Sequence, residues 1–331
     1  MRPAIRVLLL TAGLAIVALL IGHIGARAIA DLVVRVGGNF FAIVGLYALY
    51  VAIRATALWA TLDTGLVRYA EVLRIRFSGE AVEVLTFTGP FLAEPAQGVL
   101  LTARRLTPAA AFAAVLTEYL LYAAVSSSLA VAALSFLLTA RELPTGVHVG
   151  AFAIAVLTTA FLAAVLFAAV TGVGLIVPIL RATRRVLGVR AERAARHFTS
   201  IEALMIDLLH NHPKRCLRVA AIEVMAQATL VSELWLILGA LGIARSWSSA
   251  LIVEGGIKFV GTAFSFIPGQ LGASETVYTV LARAIGLPMS VGLAVALIRR
   301  LRSIAVATAG VLALTLFGGD SGQMDSSGSS V

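Results

Sequence analysis

Hydrophobic residues make up 60% of the 331-residue chain and charged residues only 13%, roughly half the charge of a soluble domain, which excludes an ordinary water-soluble globule. In so apolar a chain the net charge of +9 points to basic cytoplasmic loops of a membrane protein rather than to nucleic-acid binding. The single cysteine, Cys216, excludes an intrachain disulfide and a cysteine-based metal site, and the length suits one helical bundle without an added soluble domain.

Arg2 and Arg6 precede an apolar run from Val7 to Ile21. A signal peptide cut near Ala26–Ala28 is one reading; because further spans follow, an uncleaved first transmembrane helix is the expectation. Asn39 to Ala60 is the second span, with Arg54 inside it. Leu62 to Phe77 mixes Arg68, Glu71, Arg74 and Arg76 with apolar residues, a pattern expected of a helix on the membrane surface. Residues 79–105 are too polar to span cleanly. Pro90 and Pro95 interrupt two apolar halves closed by Arg104 and Arg105, so a re-entrant hairpin is predicted. Pro108 to Leu138 and Val147 to Leu180 are long spans, the second kinked near Gly172, Gly174 and Pro178.

The polar stretch 181–218 is predicted as a cytoplasmic loop lying on anionic lipid headgroups. Its His210 and His212 flank Asn211, but no third ligand follows at a useful spacing, so no metal and no cofactor is expected. Arg218 to Gly242 spans, Trp247 to Ile285 forms a second broken segment, and Pro288 to Phe317 is the last span. The tail 318–331 reads as a disordered polar segment. The predicted fold is thus an all-α integral membrane domain over 1–317, with about six full transmembrane helices and two re-entrant broken-helix hairpins.

Lys and Arg set the expected orientation. With both termini inside, the cytoplasmic segments hold Arg2, Arg6, Arg68, Arg74, Arg76, Arg104, Arg105 and the basic 181–218 stretch; the other face holds Arg27, Arg35, Arg141 and Arg245. The chain also repeats itself, half one over about 39–138 and half two over about 218–317. Each broken segment carries a Pro/Gly break, a Glu (Glu94, Glu275), an Arg (Arg104, Arg283) and then a Pro (Pro108, Pro288) opening an Ala-rich span. Three crossings separate the hairpins, so they are expected to enter from opposite faces, the inverted-repeat arrangement of secondary transporters.

The pattern Pro268-Gly269, Gly272, Glu275, then Gly286 to Pro288, Gly292 to Ala294 and Leu297 to Arg302 resembles the flippase-like family, the transmembrane domain of lysylphosphatidylglycerol synthase and its free-standing relatives. The first half is looser: Ala93-Glu94-Pro95 stands where relatives often have Gly-Glu-Pro, and Glu118-Tyr119 where many have Glu-Arg. The resemblance implies movement of a polar-headed lipid between leaflets, in some relatives aminoacylated phosphatidylglycerol and in others hopanoids. It implies the transport half only, without a soluble aminoacyl-transferase domain.

Charges beside broken helices are costly in lipid and mark a functional site by default. Arg299, Arg300 and Arg302 are expected to contact an anionic headgroup, Arg being a bidentate phosphate binder. Arg299 and Arg302 share a helix face while Arg300 points elsewhere. Glu275 and Arg283 are expected beside them, with Pro268, Gly269 and Gly272 shaping the pocket. Glu94, Pro95, Arg104 and Glu118 are the first-half counterparts, Arg104 pairing with either carboxylate. The alternative for all these charges is mutual pairing that pins the broken segments. Glu254 and Lys258 read as a helix-face pair; Glu223 and Glu233 have no evident partner unless Arg54 reaches one.

No Ser-His-Asp, Cys-His or phosphate-binding Gly-loop pattern stands out, so the expectation is a lipid transporter of the bacterial inner membrane and not an enzyme. A gradient or passive scrambling would supply the driving force. A non-transporting partner that presents lipid to a separate biosynthetic enzyme stays open.

Overall fold

Every regular element among the described residues is an α-helix. The computed structural model describes residues 31, 34–62, 65–86, 90–104, 106–140, 145–174, 176–182, 189–263 and 273–317. The expected first span, the Pro268, Gly269 and Gly272 break and the polar tail lie outside the described residues, as do the side chains of 183–197. The helices are α1 (Asn39–Thr61), α2 (Tyr69–Thr86), α3 (Pro90–Thr102), α4 (Pro108–Ala140), α5 (Thr145–Thr171), α6 (Ile176–Ala182), α7 (Val189–Asn211), α8 (Pro213–Ala240), α9 (Trp247–Ala263), α10 (Ala273–Ala284) and α11 (Met289–Phe317).

Their ends follow local chemistry. Before Pro108, Thr107 Oγ1 accepts a hydrogen bond from the Ala110 amide at 3.3 Å, an N-cap followed by proline at the first helical position. Ser246 caps α9 by accepting from the Ser249 amide at 3.3 Å. After α10, Gly286 takes a φ of 82° and the Leu287 amide donates back to the Ala282 carbonyl at 2.8 Å. This left-handed C-terminal turn ahead of Pro288 suits glycine.

α1, α4 (through Phe136) and α8 are long and apolar enough to cross a bilayer, by length and composition. α11 is 29 residues long but carries Arg299, Arg300 and Arg302 mid-helix. α5 turns Phe152, Leu157, Leu166 and Phe167 outward, an apolar exterior that suits lipid and not water. The protein is an all-α membrane protein.

Some boundaries differ from expectation. The predicted surface helix and the first arm of the hairpin are one helix, α2, which buries Val72, Ile75, Arg76, Ser78 and Ala81. The predicted kink in the span 147–180 is a full break: α5 stops at Thr171, Gly172 turns with a φ of 69°, and α6 follows. The predicted loop 181–218 is mostly α7, whose Met205, Leu208 and Leu209 are buried against protein. Its apolar positions recur at helical spacing, a periodicity that the density of charge obscured.

The chain forms two compact units, the described residues of Met1–Ala52, Leu73–Ala96 and Ala228–Val331, and those of Ile53–Val72 and Gln97–Gln227. In the first, α10 packs on both α9 and α11. Backbones come close there. A Cβ at Gly292 would meet the Tyr278 carbonyl and, at 2.7 Å, the Thr279 Cα; one at Gly310 would meet the Phe77 carbonyl. In the second unit α7 packs on α4, α5 and α6. Ala57, Leu121, Leu209 and Val219 make its apolar core, and Glu202 accepts hydrogen bonds from the Ile176 and Val177 amides at 2.5 and 3.0 Å, capping α6.

Gly292→Ala is expected to destabilise the protein by about 1–3 kcal/mol through overpacking against backbone that cannot move aside. Gly45→Ala, on an open face of α1, is expected to be neutral or to gain up to about 1 kcal/mol of helix propensity. Unfolding in mixed micelles measures both; equal stability of the two variants would refute the close approach.

Candidate functional site

α11 sends Arg299 and Arg302, three residues apart, to one side of the helix. Both reach Glu233 of α8: Arg299 Nη2 lies 3.2 Å from Oε2 and Arg302 Nε 2.5 Å from Oε1. Arg299 also meets Glu254 of α9 at 2.5 Å, and Lys258, one turn further along α9, meets the same carboxylate at 2.9 Å. Arg299 Nη1 donates to the Tyr278 hydroxyl of α10 at 2.9 Å, and Nη2 to the Leu230 carbonyl at 3.2 Å. The Arg302 guanidinium stacks 3.6 Å over the Tyr47 ring, whose hydroxyl donates to Glu80 at 2.7 Å. Glu233 is fully buried and Glu254, Arg299 and Arg302 nearly so. Charges this deep persist only when paired and hydrogen-bonded. The network ties α8, α9, α10 and α11 together.

Arg300 leaves the opposite way, as its spacing predicts. It meets Glu275, in the first turn of α10, at 2.9 Å. The two side chains keep 13% and 18% of their surface, against 8% or less for the arginines and glutamates of the network. Arg283, in the last turn of α10, is exposed and has no ion partner among the described residues. Also in this unit, Arg76 of α2 faces Glu94 of α3 at 3.6 Å, with Arg76 only 2% exposed. Pro95 lies inside α3 and is exposed.

The other first-half candidates belong to the second unit. Glu118 of α4 accepts from Arg54 Nε at 3.1 Å and Nη2 at 2.8 Å, and Glu223 of α8 lies 3.6 Å from the same guanidinium. The Tyr122 ring covers Arg54 at 3.8 Å. Arg104 pairs with Glu71 at 3.1 Å.

These pairings correct several sequence expectations. Arg104 pairs with Glu71, a carboxylate that the sequence had not marked as its partner. Arg76, expected on a helix lying on the membrane surface, is instead buried and faces Glu94 of α3. Arg299 and Arg302 are engaged by Glu233 and Glu254, so Arg300 alone of the three arginines stands beside a partly open position. The Glu254–Lys258 pair is present as read, and Arg54 does reach Glu223. His210 Nδ1 faces the Ala169 carbonyl at 3.1 Å, and His212 lies 3.9 Å from Asp207.

Tyr47, Glu80 and Tyr278 were not singled out from sequence. Their polar groups in apolar helices were the available signal, but pairing between residues as far apart in the chain as Tyr47 and Arg302 leaves no local spacing to read.

Glu233→Gln removes the carboxylate that holds two buried guanidinium groups and is expected to cost about 3–5 kcal/mol. Glu275→Gln, at a partly exposed pair, is expected to cost about 1 kcal/mol or less. Unfolding of the two purified variants decides it; similar losses would mean that the two sites do not differ in structural weight.

No curated protein and no solved structure matches the chain. The family model described as lysylphosphatidylglycerol synthase TM region matches residues 4–310, so the match embraces both units and all but the end of α11. That description indicates a multi-pass membrane domain related to lipid handling. The chain belongs to the family of the lysylphosphatidylglycerol synthase TM region.

Proposed function

We propose that this protein is a lipid flippase, moving a polar-headed lipid, phosphate- or amine-bearing, between the leaflets of the bacterial inner membrane. The observation that carries this reading is the Arg300–Glu275 pair. It is partly open, involves the first turn of the short helix α10, and sits one residue from a buried network that keeps α11 in place. A lipid phosphate offers Arg300 a bidentate anion in place of its 2.9 Å contact with Glu275, and a headgroup amine offers Glu275 a cation. A headgroup that replaces both partners leaves no charge stranded, so polar lipid can cross where an isolated charge could not. The acyl tails stay in lipid.

In this reading Arg299, Arg302, Glu233 and Glu254 position the site rather than contact lipid. The two hairpins, α2 with α3 and α9 with α10, form the walls of the mid-membrane cavity as an inverted repeat. Glu94 balances Arg76 in the first of them. Both termini are cytoplasmic by the distribution of Lys and Arg, and the basic 181–218 segment rests on anionic headgroups. The protein acts as a transporter and not as an enzyme.

Reconstitution in proteoliposomes with fluorescent lipids of different headgroups tests this. Wild type is expected to move phosphate- or amine-bearing lipids selectively. Arg300→Ala and Glu275→Ala are each expected to slow that movement about tenfold or more, the loss of roughly 1.4 kcal/mol of headgroup interaction, while the variants remain folded. Movement unchanged in both variants would return the pair to a purely structural role.

A further inference from the structure

Thr56, Trp59 and Ala60 of α1 and Asn211 to Arg215, Arg218 and Ile222 around the start of α8 enclose a cleft of about 670 Å³. All of these residues belong to the second unit. Trp59 lies two residues from the end of one membrane-crossing helix, and Pro213 opens another. The cleft thus lies at the ends of two helices long enough to cross a bilayer, and at such ends Trp and basic side chains meet headgroups.

Its charges are unequally committed. Arg215 is occupied by the end of α1: Nε donates to the Ala60 carbonyl at 2.7 Å and Nη2 donates to the Leu62 carbonyl. This use of a cation at a helix C-terminus satisfies carbonyls left open there. Trp59 Nε1 donates to the Val67 carbonyl at 3.1 Å, which holds the indole as a fixed wall. The nearby carboxylate, Asp207, accepts from Asn211 at 2.8 Å and faces His212. Lys214 and Arg218 are exposed, one turn apart on α8, and neither has an ion partner among the described residues. Among the described residues, no carboxylate lines the cleft. The N-terminus of α8 adds the positive end of its dipole to the same space.

We infer that this cleft is a docking site for an anionic phosphate group, held by Lys214 and Arg218 against the Trp59 wall. A lipid phosphate in the adjacent leaflet and a free phosphate compound share that chemistry. The inference narrows the general attraction of the 181–218 segment for anionic headgroups to one defined site. It is separate from the Arg300–Glu275 pair, so binding here and lipid movement can fail independently.

Trp59 supplies the readout. Trp235 and Trp247, the other two tryptophans, stack on each other in the first unit, so signal lost in Trp59→Phe belongs to the cleft. The full chain is placed in phosphatidylcholine nanodiscs containing either brominated phosphatidylglycerol or brominated phosphatidylcholine, and tryptophan quenching is followed. In parallel, discs without brominated lipid are titrated with inorganic phosphate against chloride at equal ionic strength. Stronger quenching by phosphatidylglycerol with no response to phosphate assigns the cleft to a lipid headgroup; a phosphate response assigns it to a soluble compound. In either case Lys214→Gln and Arg218→Gln are each expected to weaken the response about fivefold with thermal stability unchanged. Equal quenching by both lipids with no phosphate response, or a response that survives both substitutions together, would overturn the site.

Discussion

A guanidinium group buried away from water and headgroups must find its countercharge within the protein, because hydrocarbon supplies none. Arg299 and Arg302 meet that demand through Glu233 and Glu254, which sit on two other helices. The arrangement of α8, α9, α10 and α11 depends on this exchange. The four helices are apolar enough to pack in many ways, but only a few packings bring these groups within hydrogen-bonding reach. Arg54 plays the same part in the second unit, drawing Glu118 of α4 and Glu223 of α8 toward α1. Lipid gives little reason for apolar helices to associate with one another, so polar contacts and close packing carry more of the specificity.

Close packing acts beside the charges. Gly292 and Gly310 let α11 approach the backbones of α10 and α2 to distances that no side chain would permit. That approach fixes where Arg299 to Arg302 enter the unit. Depth then separates structural from exchangeable charge. A fully buried pair that loses one partner strands the other, which makes it an anchor. A partly open pair such as Arg300–Glu275 trades one partner for another at smaller cost. Adjacent residues of α11 provide both kinds.

At the end of α1 and the start of α8 the balance changes again. Arg215 serves the end of α1, while Lys214 and Arg218, on the same turn and the next, face an open cleft beside Trp59. Three basic residues within five positions of α8 thus have different roles, set by which carbonyls and which surfaces lie within reach. Counting basic residues predicts a membrane face but does not separate these roles.

Composition and hydropathy determined that the protein is an all-α membrane chain, since apolar runs of this length have no other soluble or β-sheet outlet for their backbone hydrogen bonds. Local chemistry determined many helix ends, at Thr107-Pro108, Gly172 and Gly286-Leu287-Pro288. The divergence of Arg300 from Arg299 and Arg302 followed from helical periodicity alone, as did the Glu254–Lys258 pair. The tertiary structure decided the partners. Arg104 met Glu71, Arg76 met Glu94, and Glu118 met Arg54, because ion pairing between helices depends on packing distance and rotation, which residue order does not encode locally. It also decided that α7, dense in charge, packs an apolar stripe against α4, α5 and α6. Helical periodicity tells which residues share a face; only packing tells what that face meets.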